Sequence, residues 1–236
     1  MNVITAEAVA KSFRGRPLYT DATFTIPAGT ITGVAGPNGS GKSVLFRLLC
    51  GFDRPDRGTI TIEPRYLSAR RTFPERFGVL IDRPGYIGGA TGLENLLALA
   101  RIRRVIDEEK VTQTMSRLGL DPSLTQKVRH YSLGMKQKLA LAQAIMEDPE
   151  VLLLDEPFNA LDEDSVAVVK DLIRDFHAAG GTLVFTSHNP ADIPELATRV
   201  LTIGDGRVTS EERPEPRTPT ARPSPPSGRR PPHTGE

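Results

Sequence analysis

Several things are scarce in this 236-residue chain. It has one cysteine, Cys50, no tryptophan, and only 6% aromatic residues. A single thiol excludes an internal disulfide and suits a reducing compartment. The longest uninterrupted apolar run, Leu96 to Ala100, is far shorter than the roughly 18–20 residues of a membrane-spanning helix. The N-terminus, MNVITAEAVAKSF, lacks the basic stretch and apolar core of a signal peptide. Work at a membrane would therefore need a second chain to supply the membrane part. Charge of one sign is also missing: 30 Lys and Arg stand against 29 Asp and Glu, a net charge of +1. That balance gives no electrostatic footprint for nucleic acid. With 38% hydrophobic and 25% charged residues, the composition fits a soluble globular protein and excludes collagen, coiled coil and full disorder.

Proline is unevenly spread. Eight of the 20 prolines fall between Glu211 and Glu236, where Ala221 is the only hydrophobic residue. Such a segment cannot bury enough surface to offset its ordering entropy, so residues 211–236 are expected to be a disordered tail. Before it, short apolar runs alternate with helical patterns. Strands are expected at Val3–Ala8, Ala22–Ile26, Ile31–Ala35, Thr59–Ile62, Phe77–Leu80, Val151–Leu154, Leu183–Thr186 and Arg199–Ile203. Helices are expected at Lys42–Cys50, Leu93–Arg103, Asp107–Leu118, Gly134–Glu147, Glu163–Ala178 and Pro190–Leu196. Runs such as VLLL and LVFT between helices indicate a parallel sheet covered on both faces. The half-polar early strands indicate a smaller antiparallel sheet. The stretch at about 84–144 holds helices without a convincing strand and reads as a helical insertion. The expected class is α/β.

Gly36 to Ser43 read GPNGSGKS, the G-x-x-x-x-G-K-[ST] pattern of a phosphate-binding loop. Gly36, Gly39 and Gly41 allow successive backbone N–H groups to face inward around a phosphate. The helix that starts near Lys42 aims its positive end at the same place. Lys42 reaches β- and γ-phosphates, and the Ser43 hydroxyl suits Mg²⁺. Gly36, Pro37, Asn38, Gly39, Ser40, Gly41, Lys42, Ser43 and Val44 are thus the candidate contacts to a nucleoside triphosphate.

Strand Val151–Leu154 runs into Asp155, Glu156 and Pro157. A parallel strand ends at the edge where open α/β sheets bind ligands. Asp155 is the candidate partner of the metal ion and Glu156 the candidate general base for an attacking water. Pro157 cannot continue the ladder and suits a chain leaving the sheet. His188, after strand Leu183–Thr186, is placed to donate to a γ-phosphate oxygen. His130, His177 and His233 carry no such context.

Tyr131 to Gln143 read YSLGMKQKLALAQ, and Ser132 with Gly134 opens a helix there. This makes a second anion-binding helix start in one chain. One phosphate chain occupies both only if they converge, within a fold or between two copies.

In this set of motifs the sequence resembles the ATP-binding subunits of ABC transporters, over residues 1–210. GPNGSGKS matches Walker A, VLLLDEP matches Walker B, and YSLGMKQ resembles a variant of the family signature. Asn159–Asp162 resembles the D-loop, His188 the switch histidine, and Phe13 the aromatic that stacks on adenine. The resemblance implies ATP and Mg²⁺ as ligands, with Ser43, Asp82 and Asp155 around the metal and Ser132 and Gly134 reaching the γ-phosphate across a head-to-tail dimer. It implies a catalytic set of Glu156, His188 and Lys42. It also implies a P-loop parallel core with a small antiparallel β subdomain and an inserted helical subdomain, docked on a separate transmembrane permease at the inner face of the cell membrane.

Asp82 departs from the family pattern, which usually has Gln there; a carboxylate is frequent in the bacitracin- and lantibiotic-type exporters. The alternatives are a non-transport ABC ATPase, a P-loop small-molecule kinase, and a degenerate cassette that binds ATP but scarcely hydrolyses it.

Overall fold

The computed structural model describes residues 1–67, 73–82 and 85–214. Val151–Leu154 explains much of the architecture. All four residues of this strand, β6, are buried. Leu152 and Leu154 join one hydrophobic cluster, while Val151 and Leu153 join another on the opposite face. Side chains alternate across a strand, so a run apolar at every position needs cover on both sides. One cover is the helical insertion with the helices Leu133–Ile145 and Glu163–Ala178; the other is the helix Lys42–Leu49 with the antiparallel sheet.

The antiparallel sheet contains β1 (Asn2–Phe13), β2 (Arg16–Pro27) and β4 (Arg57–Ile62), in the order β2-β1-β4. β1 and β2 run longer than expected because their hairpin ends, such as Arg16–Asp21, are mostly exposed and carry little apolar alternation. They are joined at Arg14 and Gly15, both with positive φ (49° and 78°), the geometry of a two-residue hairpin turn. Gly58 is required where β4 crosses β1: a Cβ there would lie 2.3 Å from the Ala8 carbonyl oxygen.

The larger sheet has the order β5-β6-β7-β3-β8-β9, with β3 Ile31–Ala35, β5 Phe77–Leu80, β7 Thr182–Phe185, β8 Arg199–Gly204 and β9 Arg207–Glu212. Its first five strands are parallel and β9 is antiparallel. β9 is an addition to the expected strands. Its sequence, RVTSEE, has only Val208 buried, so an exposed edge strand leaves almost no apolar alternation to read. It extends to Glu212, two residues into the expected tail, and the Arg213 N–H donates to the Thr198 carbonyl at 2.8 Å. The tail beyond residue 214 lies outside the described residues.

The helices are α1 (Lys42–Leu49), α2 (Gly92–Arg103), α3 (Glu108–Arg117), α4 (Leu133–Ile145), α5 (Glu163–Ala178) and α6 (Asp192–Leu196). Four of the six starts carry a side-chain cap. Thr91 and Glu94 form a reciprocal capping box on α2, and Asp107, Ser132 and Asp162 cap α3, α4 and α5. Between β5 and β6 the described residues form helices and turns, with no strand. The protein is thus α/β, with a mainly parallel core, a small antiparallel sheet and a helical insertion.

Candidate functional site

Register sets the site. Leu80 pairs with Leu154, and Leu154 with Phe185, while Gly33 of β3 pairs with the same Phe185. The carboxyl ends of β5, β6, β7 and β3 therefore emerge side by side. The residues that follow them are Asp82, Asp155–Glu156, Thr186–His188 and Gly36–Ser43. This is the edge where open parallel sheets hold ligands.

The phosphate loop has little room for side chains. Gly36, Gly39 and Gly41 have φ of 154°, 79° and 101°. A Cβ on Gly36 would meet the Ile203 carbonyl oxygen at 2.6 Å, and one on Gly41 would meet Leu18 at 3.1 Å. Pro37, Asn38 and Gly39 are exposed at the tip. Lys42 opens α1 and folds back, donating to the carbonyls of Gly36 at 2.8 Å and Pro37 at 3.2 Å. Among the described residues its ammonium makes no ion pair, although its charge reaches Glu156. The Ser40 hydroxyl is buried and has no hydrogen-bond partner among the described residues. An orphaned hydroxyl, an ammonium outside any ion pair among the described residues and three glycines held at positive φ fit an anionic ligand. Ser43 and Val44 are half-buried in the first turn of α1.

On the neighbouring strand ends, Asp155 and Glu156 are held by Thr186. The Glu156 N–H donates to the Thr186 hydroxyl oxygen at 2.8 Å, and that hydroxyl donates to Asp155 Oδ1 at 2.7 Å. The Asp155 N–H donates to the Leu80 carbonyl at 2.7 Å. Glu156 has φ 56°, a left-handed conformation that costs a residue with a Cβ about 1–2 kcal/mol. Its carbonyl accepts from Gln137 Nε2 at 2.9 Å and from the Asn159 N–H at 3.2 Å, and the same Gln137 amide donates to the Pro157 carbonyl at 3.0 Å.

The Glu156 side chain is 19% exposed and lies 3.4 Å from His188 Nε2, while His188 is 62% exposed. Burial raises the Glu156 pKa above the ordinary carboxylate value. The nearby Asp155 charge adds to that rise, while His188 and Lys42 oppose it. A carboxylate that holds a proton more readily than usual is suited to accept one. The turn carrying His188 is itself braced: the Ser187 hydroxyl donates to buried Asp192, which pairs with Lys170 at 2.8 Å.

The remaining expected residues are placed differently. The Asp82 carboxylate pairs with Arg47 of α1 at 3.1 Å, with both side chains about half exposed. Arg47 stands one helical turn beyond Ser43, so the negative charge of Asp82 has a local counter-charge. Among the described residues no group of three or more His, Cys, Asp and Glu is assembled for a metal. The protein donors for a metal beside a triphosphate would be the Ser43 hydroxyl and the Asp155 carboxylate. Phe13 is 53% exposed at the end of β1, with the Arg14 guanidinium 5.4 Å from its ring.

The Ser132 side chain caps α4 by accepting the Met135 N–H at 3.1 Å. Gly134 lies against the chain after β6, where a Cβ would be 2.8 Å from the Ala160 carbonyl oxygen. No hydrogen bond or ion pair among the described residues joins Ser132 or Gly134 to Gly36–Ser43.

Three residues of this site escaped the sequence reading. Thr186 gave a weak signal, lying two positions before His188. Arg47 could have been found from its spacing of four after Ser43, which places both on one face of α1. Gln137 in MKQK looks like part of a solvated helix face and gave none.

The family model described as ABC transporter matches residues 19–159. The chain is 37% identical to an uncharacterized ABC transporter ATP-binding protein, YybJ, of Bacillus subtilis (strain 168), over 87% of this chain and 94% of that protein. It is 30% identical to the bacitracin transport ATP-binding protein BcrA of Enterococcus faecalis, over 89% of this chain and 68% of that protein. In structure it is similar to the dimeric bacterial ABC transporter cassette MJ0796, with a TM-score of 0.76 and 22% identity, over 89% and 98% of the two chains. These matches leave no place for the small-molecule kinase alternative. The chain belongs to the ATP-binding, ATP-hydrolysing subunits of ABC transporters.

Proposed function

We propose that this subunit drives an exporter by closing head-to-tail with a second ATP-binding subunit, docked on a separate permease at the inner face of the membrane. The observation that carries the reading is the separation of two half-sites. Gly36–Ser43 forms an anion cradle at the sheet edge, whereas Ser132 and Gly134 form a glycine-containing helix start with no bond to that cradle in its own chain. Pairing two copies head to tail gives each cradle a second wall. The dimeric state of the similar cassette MJ0796 supports this, and the bacitracin relative supports export. No helix among the described residues is long and apolar enough to cross a membrane.

The residues divide the work. The loop amides of Gly36–Gly41 and the Lys42 ammonium bind and neutralise phosphate oxygens. Phe13 offers an exposed ring for an adenine to stack on. Ser43 and Asp155 would hold Mg²⁺, which offsets charge on the phosphates when bound. Asp82, paired with Arg47, borders this set from β5. Glu156 orients a water and takes its proton, and His188 donates to the phosphoryl oxygens. Ser132 and Gly134 of a second copy close the site and exclude water.

Affinity isolation of the tagged full-length chain from its own membranes tests the proposal. A copurifying multi-span membrane protein that alters ATP turnover supports it. Recovery with ribosomes or DNA and no membrane protein contradicts it.

A further inference from the structure

We propose that Gln137 is a positioning residue for Glu156, coupling the signature helix to the general base of the same chain. The proposal rests on the reading of Glu156 as that base. The turn at Glu156 has a left-handed backbone that needs holding from outside, and it is held from two sides. On the sheet side, Thr186 at the end of β7 accepts the Glu156 N–H. On the other side, the side-chain amide of Gln137, in the second turn of α4, donates to the carbonyls of Glu156 and Pro157 at 2.9 and 3.0 Å.

The two anchors differ in kind. Thr186 is buried directly after β7, where its own N–H donates to the Leu154 carbonyl at 3.1 Å. Gln137 belongs to α4, whose first turn is tied to the helical insertion: the Tyr86 hydroxyl donates to the Lys136 carbonyl at 2.8 Å. The same helix touches this segment a second time, where Gly134 backs onto the Ala160 carbonyl. A shift of α4 therefore pulls on the turn carrying Glu156 while Thr186 holds the other end. The signature helix thus acts twice in this account: on the nucleotide of the opposite copy through Ser132 and Gly134, and on its own chain's base through Gln137.

The test is ATP hydrolysis and ATP affinity of the full chain with Gln137→Met, which keeps the length and removes both donors. Gln137→Glu, which keeps the shape and sets a carboxylate against two carbonyls, repeats the test should the first variant fold poorly. The expected result is a fall in kcat of about 10- to 100-fold with ATP affinity unchanged within about twofold. In a Glu156→Gln background, Gln137→Met should cause no further loss, because both changes act through one group. Wild-type kcat in Gln137→Met, with Glu156→Gln inactive, would overturn the positioning role alone. A loss additive with Glu156→Gln, or weakened ATP binding, would overturn it in favour of general packing. Wild-type turnover in Glu156→Gln would instead remove the base assignment on which the proposal stands.

Discussion

The helix starts at Lys42 and at Ser132 both carry glycine, and both suit an anion on paper, yet the chain uses them differently. At the first, three glycines with positive φ line a loop in which the Ser40 hydroxyl has no hydrogen-bond partner and the Lys42 ammonium no ion pair among the described residues. At the second, the serine caps its own helix and the glycine makes room for the Ala160 carbonyl. The first forms its anion cradle within one chain. The second is occupied with holding α4 and the segment after β6, and in the proposed pairing its outward side would meet a phosphate bound by another copy. A small polar residue and a glycine at a helix start therefore do not make an anion site by themselves; the groups left unsatisfied decide it.

Changes at each wall should separate the two roles. The largest effect is expected for Glu156→Gln, which keeps ATP binding and lowers hydrolysis by about 100- to 10,000-fold, as read by phosphate release. The variant should also melt higher than wild type at neutral pH. Burial raises the native carboxyl pKa, so the charged form costs stability above that pKa and a neutral amide removes the cost. A melting temperature below wild type would count against a buried, strained carboxylate. Lys42→Ala should weaken ATP binding by about 10- to 150-fold, as lost charge-assisted bonds imply, and titration calorimetry would detect it. Unchanged affinity would deny that the first wall is the cradle.

A smaller effect is expected at the second wall. Gly134→Ala sets a Cβ against the Ala160 carbonyl and should cost about 1–3 kcal/mol of stability, measured by denaturant unfolding, with ATP affinity of the single chain intact. Loss of monomer affinity would mean that this helix contacts nucleotide in its own chain. The smallest effect is expected for Asp82→Asn, which breaks an exposed pair with Arg47 worth under about 1 kcal/mol.

The pH dependence follows from the same carboxyl. The base form exists above its pKa, so a raised pKa makes kcat fall on acidification before an ordinary glutamate would titrate, near about 4.3. An acid limb at or below that value would contradict the burial argument.

Most of the parallel core was legible in the sequence because each strand there is apolar at nearly every position and each loop carries its own chemistry. Asp155, Glu156, His188 and the Gly36–Ser43 loop all meet at one edge for that reason. The antiparallel strands were read too short, and β9 not at all, because exposed strands such as Arg207–Glu212 leave no apolar alternation. The tertiary supports were harder still. Gln137 and Thr186 act on backbone atoms far away in sequence, and nothing in their local pattern marks such a bond. Asp82 was readable as a residue but not as a pair, since Arg47 is 35 positions away.

The central claim is that the two walls come from two copies, and the mass of the Glu156→Gln chain in solution tests it most directly. Sedimentation equilibrium with saturating ATP should give twice the chain mass, with ADP should give the single mass, and adding Ser132→Arg should abolish the doubling while ATP still binds. A single-chain mass at saturating ATP would contradict the account.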